Sequence, residues 1–459
     1  MIQTIRNAWA VPELRKKMLF TVFALLIFRL GSAIPVPYID SGMLKQQIEL
    51  QSGTILGLMN AMSGSAFSMA TVFALSIQPY INSSIIIQLL TVAIPALERL
   101  AKEGGEEGRK KIASITRYTT VAIALLQGFG YYSLIKSYGL LNGGSLPSFW
   151  VGLVIVLSFT AGSAFLMWLG EQITEFGIGN GISIILFAGI ISRGPQMVID
   201  MVNGVSLHSN IQKGNVTLEK LMETGYTAEQ AQAYMGQALA PWMIPVILLG
   251  ALAMVVFIVF INNAERRIPV QYAKRQVGRK MYGGQSSNLP MKVNMSGVLP
   301  VIFAQSIASL PITVWSFIGI PAEGTISRSI YDAIDAQSAI YIVVYFLMIS
   351  GFSYFYSSIQ FNPVEIANNL KKQGGFIPGF RPGKPTVDFI KKVLNKVTMF
   401  GAIYLAIVAI CPILASKLIG NDSIGIGGTS VIIVVGVALE TVKALENQML
   451  MRQYKGFLE

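Results

Sequence analysis

Long apolar runs alternate with polar gaps along this chain, and ten of the runs approach the roughly 20 residues that a helix needs to cross hydrocarbon. They cover residues 18–34, 71–94, 118–135, 150–170 and 181–202, then 241–261, 295–318, 338–358, 397–414 and 428–442. An even number places both termini on one side. The gaps differ in charge. Arg15, Lys16 and Lys17 precede the first run, Arg109, Lys110 and Lys111 the third, and the gaps around 262–290 and 360–396 hold many more of the 35 Lys and Arg residues. Because short basic loops mark the cytoplasmic face, both termini are expected in the cytoplasm.

Two segments break the pattern. Residues 53–67 are too glycine-rich for a spanning helix and too apolar for a solvated loop, so they are expected to be buried, either as a re-entrant packing segment or as a movable stopper. In the second run, Gln78, Pro79, Asn82, Ser83, Ser84 and Gln88 interrupt the aliphatics, while Ile77, Ile81 and Ile85 recur every four residues as one stripe. Lipid cannot satisfy amides, so the polar side must face protein or water. Helix–helix hydrogen bonding alone accounts for it equally well.

Composition agrees with a membrane chain: 53% of residues are hydrophobic and 13% charged, against about 25% charged in an average soluble domain. A net charge of +12 raises nucleic acid as a partner. The basic residues flank apolar runs, however, where anionic lipid accounts for them, and only the two long basic loops leave ribosomal RNA open. The run from Met18 follows its basic cluster as a signal peptide would, but Arg29 interrupts it and no small-residue cleavage site follows. An uncleaved first span is expected.

Much chemistry is missing. The single cysteine, Cys411, lies in an apolar run and is expected to be a small buried hydrophobe; it forms neither a disulfide nor a cysteine metal cluster. The single histidine, His208, falls in the segment 203–240 and is expected to be exposed, which leaves no histidine metal site or His-based nucleophile in the membrane. No GxxxxGK phosphate loop occurs, so energy must come from outside. Apart from Arg29, ionisable residues appear only at span ends, as with Arg193, Glu440 and Lys443. No midplane coupling charge is evident.

The expected fold is an all-α polytopic membrane protein of ten transmembrane helices. Five spans lie in residues 1–202 and five in 241–459, with 203–240 an external linker that carries short amphipathic helices. An odd number of spans per half forces the second to insert inverted, and inverted halves usually place the functional route between them. A channel and an inverted-repeat secondary transporter both suit that outline. The transporter needs an intramembrane coupling charge, and an intramembrane enzyme needs a catalytic dyad or metal ligands.

The motifs decide further. Ile34-Pro35-Val36-Pro37, Pro79-Tyr80-Ile81, the run 84–90, the run 167–175 leading into Gly177-Ile178-Gly179-Asn180-Gly181, Glu265-Arg266-Arg267-Ile268, Phe361-Asn362-Pro363, Pro378-Gly379-Phe380-Arg381-Pro382-Gly383 and Gly427-Gly428-Thr429-Ser430 occur in order. Together they make the chain resemble the bacterial SecY family, the channel subunits of the Sec translocon, from the first span to the last.

That resemblance implies a protein-conducting channel of the bacterial plasma membrane, with no catalysis and no cofactor. Its hourglass pore would pass unfolded preproteins and release transmembrane segments sideways into lipid. It implies a pore ring of Ile77, Ile81, Leu186, Ile302 and Ile433; apolar rings close around a passing chain and hinder ions by dewetting. It also implies a plug at 53–67, with Gly53, Ile55, Leu56, Leu58, Met59, Met62 and Gly64, whose glycines lower the cost of irregular backbone. A lateral gate is implied at Asn82, Ser83, Gln127 and Asn294, held by hydrogen bonds of about 1 kcal/mol each. Arg266, Arg267, Lys274, Arg275 and Arg381, in the loops 262–290 and 360–396, would dock the ribosome or the SecA motor ATPase. Further implied partners are the SecE and SecG subunits, signal sequences, nascent polypeptide and membrane lipid.

Overall fold

The computed structural model describes residues 2–50, 55–144, 147–223, 228–272, 275–277, 280–282, 286–295, 297–318, 325–334, 338–419 and 422–455. The N-terminal half opens with α1 (Ile2–Ala10), α2 (Pro12–Gly31), α3 (Ser41–Leu50), α4 (Ile55–Met62), α5 (Gln78–Ala93) and α6 (Pro95–Lys102). Then come α7 (Gly105–Ser137), α8 (Ser148–Phe176), α9 (Gly181–Ser192) and α10 (Gly194–Gln212), with α11 (Leu218–Glu223) and α12 (Ala228–Gly236) in the segment between the halves. Next, α13 (Met243–Asn263) leads into strands β1 (Glu265–Tyr272), β2 (Arg275–Val277), β3 (Lys280–Tyr282) and β4 (Ser286–Lys292). The chain closes with α14 (Leu299–Ile318), α15 (Ile326–Ile334), α16 (Ala339–Gln360), α17 (Pro363–Lys372), β5 (Gly375–Phe376), α18 (Lys384–Ile419) and α19 (Asp422–Lys455).

Each of the ten expected segments contains a helix. Five helices among the described residues are long and apolar enough to cross a membrane, or six if the bent pair α5–α6 counts as one span. The exceptions have local causes. Besides Glu13, α2 carries Arg15, Lys16, Lys17 and Arg29 within its 20 residues. The second run does not become helical until Gln78, and it stops at Ile94, whose extended backbone precedes Pro95 and turns the chain by 105°. The fifth run is one of the five counted spans, Gly181–Gln212, although a turn at Arg193 divides it into α9 and α10; it carries on into the expected linker, where His208 is half-buried rather than exposed.

Lipid-facing surface is plain on α13, whose Leu248, Leu249, Leu252, Val256 and Phe260 point outward while only Ile258 is buried. Cys411 also faces outward from α18, contrary to its expected burial. In an apolar span the outer face is as hydrophobic as the core, so composition alone could not choose between them. Inside, one contiguous apolar cluster joins residues of α2, α5, α7, α8, α9, α14, α16, α18 and α19.

An all-helical chain describes the apolar runs but not the basic loops. There β1 is the centre of a three-stranded antiparallel sheet in the order β4-β1-β5, and β2 pairs with β3. Alternation along β1 points Ile268 and Val270 into a small second core with Met291, Ala367, Leu370, Ile377, Ile390 and Leu394 and turns Arg267 away from it; Arg266, on the face of Ile268, is exposed as well. The loops 262–290 and 360–396, separate in sequence, are one structural unit.

Candidate functional site

Residues 63–77 fold as consecutive turns that delay the start of α5. Ser65, Ala70 and Ser76 adopt positive φ there, at 70°, 46° and 51°, a conformation costing roughly 1–2 kcal/mol each for residues with a Cβ. Such strain persists only where surrounding contacts impose it. Here α8 does so: Ser163 Oγ donates to the Ser76 carbonyl at 3.3 Å, and a Cβ on Gly162 would collide with the Val72 carbonyl. The turns deliver Ile77 to the N-cap of α5 and Ile81 to its first turn. On α8, Gly170 leaves room for Ile77, since a Cβ there would lie 3.3 Å from Ile77 Cδ1.

Leu186 lies in α9, Ile302 in the first turn of α14 and Ile433 in α19. With Ile77 and Ile81 they belong to the single large apolar cluster, and none is more than 4% exposed. Among the described residues, side chains so buried leave no open passage between them. Short helix α4 packs against α9, α14 and α19, the three elements that carry Leu186, Ile302 and Ile433.

Much of the segment 53–67 is thus helical and seated. Leu56 and Met62 are buried and Met59 is half-buried against the same cluster. Gly53 and the side chains of Ile55 and Leu58 lie outside the described residues. The glycine that irregular backbone requires is Gly64, at φ 67°, one turn past the helix. Its carbonyl accepts from Arg29 Nη1 at 3.3 Å, and the same nitrogen donates to Ser192 Oγ at 3.1 Å. Farther on, Phe67 stacks on Tyr131 at 4.3 Å between ring centres, and the Tyr131 hydroxyl donates to the Phe67 carbonyl.

The expected gate bonds are arranged differently. Ser83 Oγ donates to the Thr116 carbonyl at 2.8 Å and so ties α5 to α7. Asn294 Nδ2 donates to Asn262 Oδ1 at 2.8 Å, which ties the approach to α14 to the end of α13. Asn82 and Gln127 are buried, and Gln127 Oε1 has no hydrogen-bond partner. A contact that does cross between α5 and α14 is Gln78 Nε2 to Ser306 Oγ, at 3.5 Å. Its signal was readable: Ser306, Ser309 and Thr313 recur with helical spacing and are all buried, a polar stripe like that on the second run.

Toward the basic loops, Arg117, just before the expected third span, is held by Glu171 Oε1 at 2.9 Å. That hydrogen bond, with the carboxylate's charge, raises the guanidinium pKa further above its ordinary value. Arg266 and Arg267 are exposed on β1, where Arg267 Nε meets Glu265 Oε1 at 2.7 Å. Arg381 is exposed at a tip between Gly379 and Gly383, at φ 88° and 109°. The tip is fixed by Phe380 against Phe389, ring centres 4.2 Å apart, and by Thr386 Oγ1 donating to the Arg381 carbonyl at 2.8 Å. Lys274 and the side chain of Arg275 lie outside the described residues.

Comparison with known proteins fits this geometry. The sequence model of the SecY family matches residues 71–442. The chain belongs to the SecY family. Relatives include the protein translocase subunit SecY of Streptomyces coelicolor, 42% identical, and that of Bacillus licheniformis, 41% identical, each aligned over 100% of both chains. Among solved structures, a protein-conducting channel aligns with a TM-score of 0.58 at 18% identity, covering 95% of this chain and 92% of that one. A SecY structure described for a plug domain that stabilises the closed channel aligns at 0.57 and 17%, again over 95% and 92%. At those identities the structural likeness speaks for the SecY fold.

Proposed function

We propose that this protein is the conducting subunit of a bacterial protein translocase. Ten transmembrane helices in two inverted five-helix halves, joined by the external segment 203–240, enclose an hourglass pore in the plasma membrane, with both termini cytoplasmic. Unfolded preproteins pass outward through a ring of Ile77, Ile81, Leu186, Ile302 and Ile433, and apolar segments leave sideways between α5 and α14. The segment 53–67 is the plug. No bond is made or broken in the cargo.

The supporting observation is the burial of those five aliphatics in one cluster, on helices against three of which α4 is seated. Aliphatic side chains offer a passing chain no hydrogen bond that would arrest it, yet they exclude water when they meet. SecE and SecG cover part of the exposed apolar surface, SecA or the ribosome docks on the β4-β1-β5 unit, and cargo brings its signal sequence to the lateral gate. Each docking arginine also satisfies the charge rule for topology, so only a functional test separates the two roles.

The test is translocation of a signal-bearing precursor into proteoliposomes containing this subunit, SecE and SecG, with SecA and ATP. Protease-protected precursor with the parent and at least about tenfold less with Arg381→Glu, where an attractive contact becomes repulsive, supports channel and docking together. Absence of protected precursor in vesicles with folded complex and active motor refutes the SecA-driven reading.

A further inference from the structure

A charged residue in an apolar span calls for a partner or a function, and Arg29 of α2 has no role in the ring, the gate or the docking surface. Its Nη1 carries two hydrogens and directs them to two acceptors on different elements. One is the Gly64 carbonyl, at the turn that ends the plug, at 3.3 Å; the other is Ser192 Oγ, the last residue of α9, at 3.1 Å. Ser192 Oγ in turn donates to the Gly189 carbonyl at 2.7 Å, which leaves the hydroxyl oxygen facing the arginine as an acceptor.

The backbone on both sides is cut to this contact. A Cβ on Gly64 would lie 2.6 Å from Ser192 Oγ and 2.9 Å from the Gly189 carbonyl oxygen, and a Cβ on Gly189 would lie 2.6 Å from the Met62 carbonyl oxygen. Gly64 also holds φ at 67°. Two chain segments therefore meet backbone to backbone at their glycines, and the arginine bridges the seam from a third. Elsewhere the plug is held by apolar burial of Leu56, Met62 and Phe67 and by Tyr131, contacts without formal charge.

We propose that Arg29 is a positioning residue that latches the plug to α9 and sets how readily it leaves its seat. The latch rests on the reading of 53–67 as a plug. Because Arg29 is an exposed residue near the end of its span, its hold is modest, as suits a stopper that must depart and return.

The latch is tested by placing Met62→Cys, at a site buried when the plug is seated, in a Cys411→Ser background within proteoliposomes. A membrane-impermeant maleimide is then applied to the external face. With Arg29 present, labelling is slow. Arg29→Ala speeds it about fivefold, the equivalent of one charge-assisted hydrogen bond weakened by solvent. Arg29→Lys, which keeps the charge and can donate to both acceptors, falls between the two. Ser192→Ala, which leaves α2 untouched, speeds labelling about twofold, and combining it with Arg29→Ala adds nothing beyond Arg29→Ala. Unchanged labelling in Arg29→Ala overturns the latch, and so do equal rates for the Lys and Ala variants, which mark a merely structural side chain. Should Arg29→Ala fail to fold, unchanged labelling in Ser192→Ala is decisive against it. A latch that behaves as expected in a subunit that translocates no precursor leaves the contact standing and sinks the plug's function instead.

Discussion

Five aliphatic side chains drawn from four helices are more sheltered than an ordinary channel lining would be, and shelter is what a closed ring of this kind requires. An amide in the ring would offer water about 1–3 kcal/mol of hydrogen bonding that isoleucine does not. Ile81→Asn is therefore expected to raise the resting ion conductance of the reconstituted subunit about tenfold in planar bilayers, while precursor transport continues. An unchanged resting conductance would make Ile81 a core residue and no more. At this scale the sequence was readable through motif resemblance and only partly through physics. The four-residue recurrence of Ile77, Ile81 and Ile85 marks a stripe, but any buried helix shows one, and Leu186, Ile302 and Ile433 join it only through tertiary packing. Arg29 was visible as an anomaly. Its partners, 35 and 163 positions away in sequence, were not.

Helices were the legible elements, because a backbone in lipid must satisfy its own hydrogen bonds and a long apolar run therefore reads as helix almost without further information. What failed was whatever depends on a neighbour. The turns 63–77 displace the start of α5 although their residues are as apolar as a span, since α8 presses on them through Gly162. The polar residues of the gate were expected to pair across it; the Ser83 hydroxyl ties α5 to its neighbour α7, and the Asn294 amide reaches Asn262 at the end of α13. Between α5 and α14 the long contact of Gln78 with Ser306 crosses the seam, and a bond of that length contributes about 0.5–1 kcal/mol. Ser306→Ala should accordingly increase the population in which spin labels on α5 and α14 are separated by about two- to fivefold, as measured by pulsed dipolar spectroscopy. A distance distribution identical to that of the parent would assign the closed gate to apolar packing alone.

For the molecule as a whole, the division of labour follows its two largest apolar clusters. The larger cluster holds Ile77, Ile81, Leu186, Ile302 and Ile433, and the smaller one, with Ile268, Val270, Met291, Ile377 and Ile390, leaves Arg266, Arg267 and Arg381 exposed. Charge alternation set the basic loops apart from the apolar runs, whereas the sheet joining two of those loops gave no signal in hydropathy, because β5 is only two residues long. Docking through exposed arginines is governed by screening. Raising salt from about 0.1 M to about 1 M shortens the Debye length from ~10 Å to ~3 Å, so motor binding to reconstituted subunit is expected to weaken at least about tenfold in a fluorescence titration. Salt-independent binding would place the contact on the apolar residues between the arginines.

β1 pairs with β4 over seven residues and with β5 over two. A strand read by two neighbours at once has little tolerance for changes in length. Inserting a single residue within it would turn Ile268 and Val270 out of the smaller cluster and bring Arg267 inward, and it would shift the approach to Arg381 at the same time. Among the described residues, the short strands β2 and β3 pair only with each other and are under no such constraint. Across the lineage of this chain, insertions and deletions in the first basic loop should therefore accumulate at that hairpin and spare β1, a pattern that aligned sequences can confirm or refute without any protein being made.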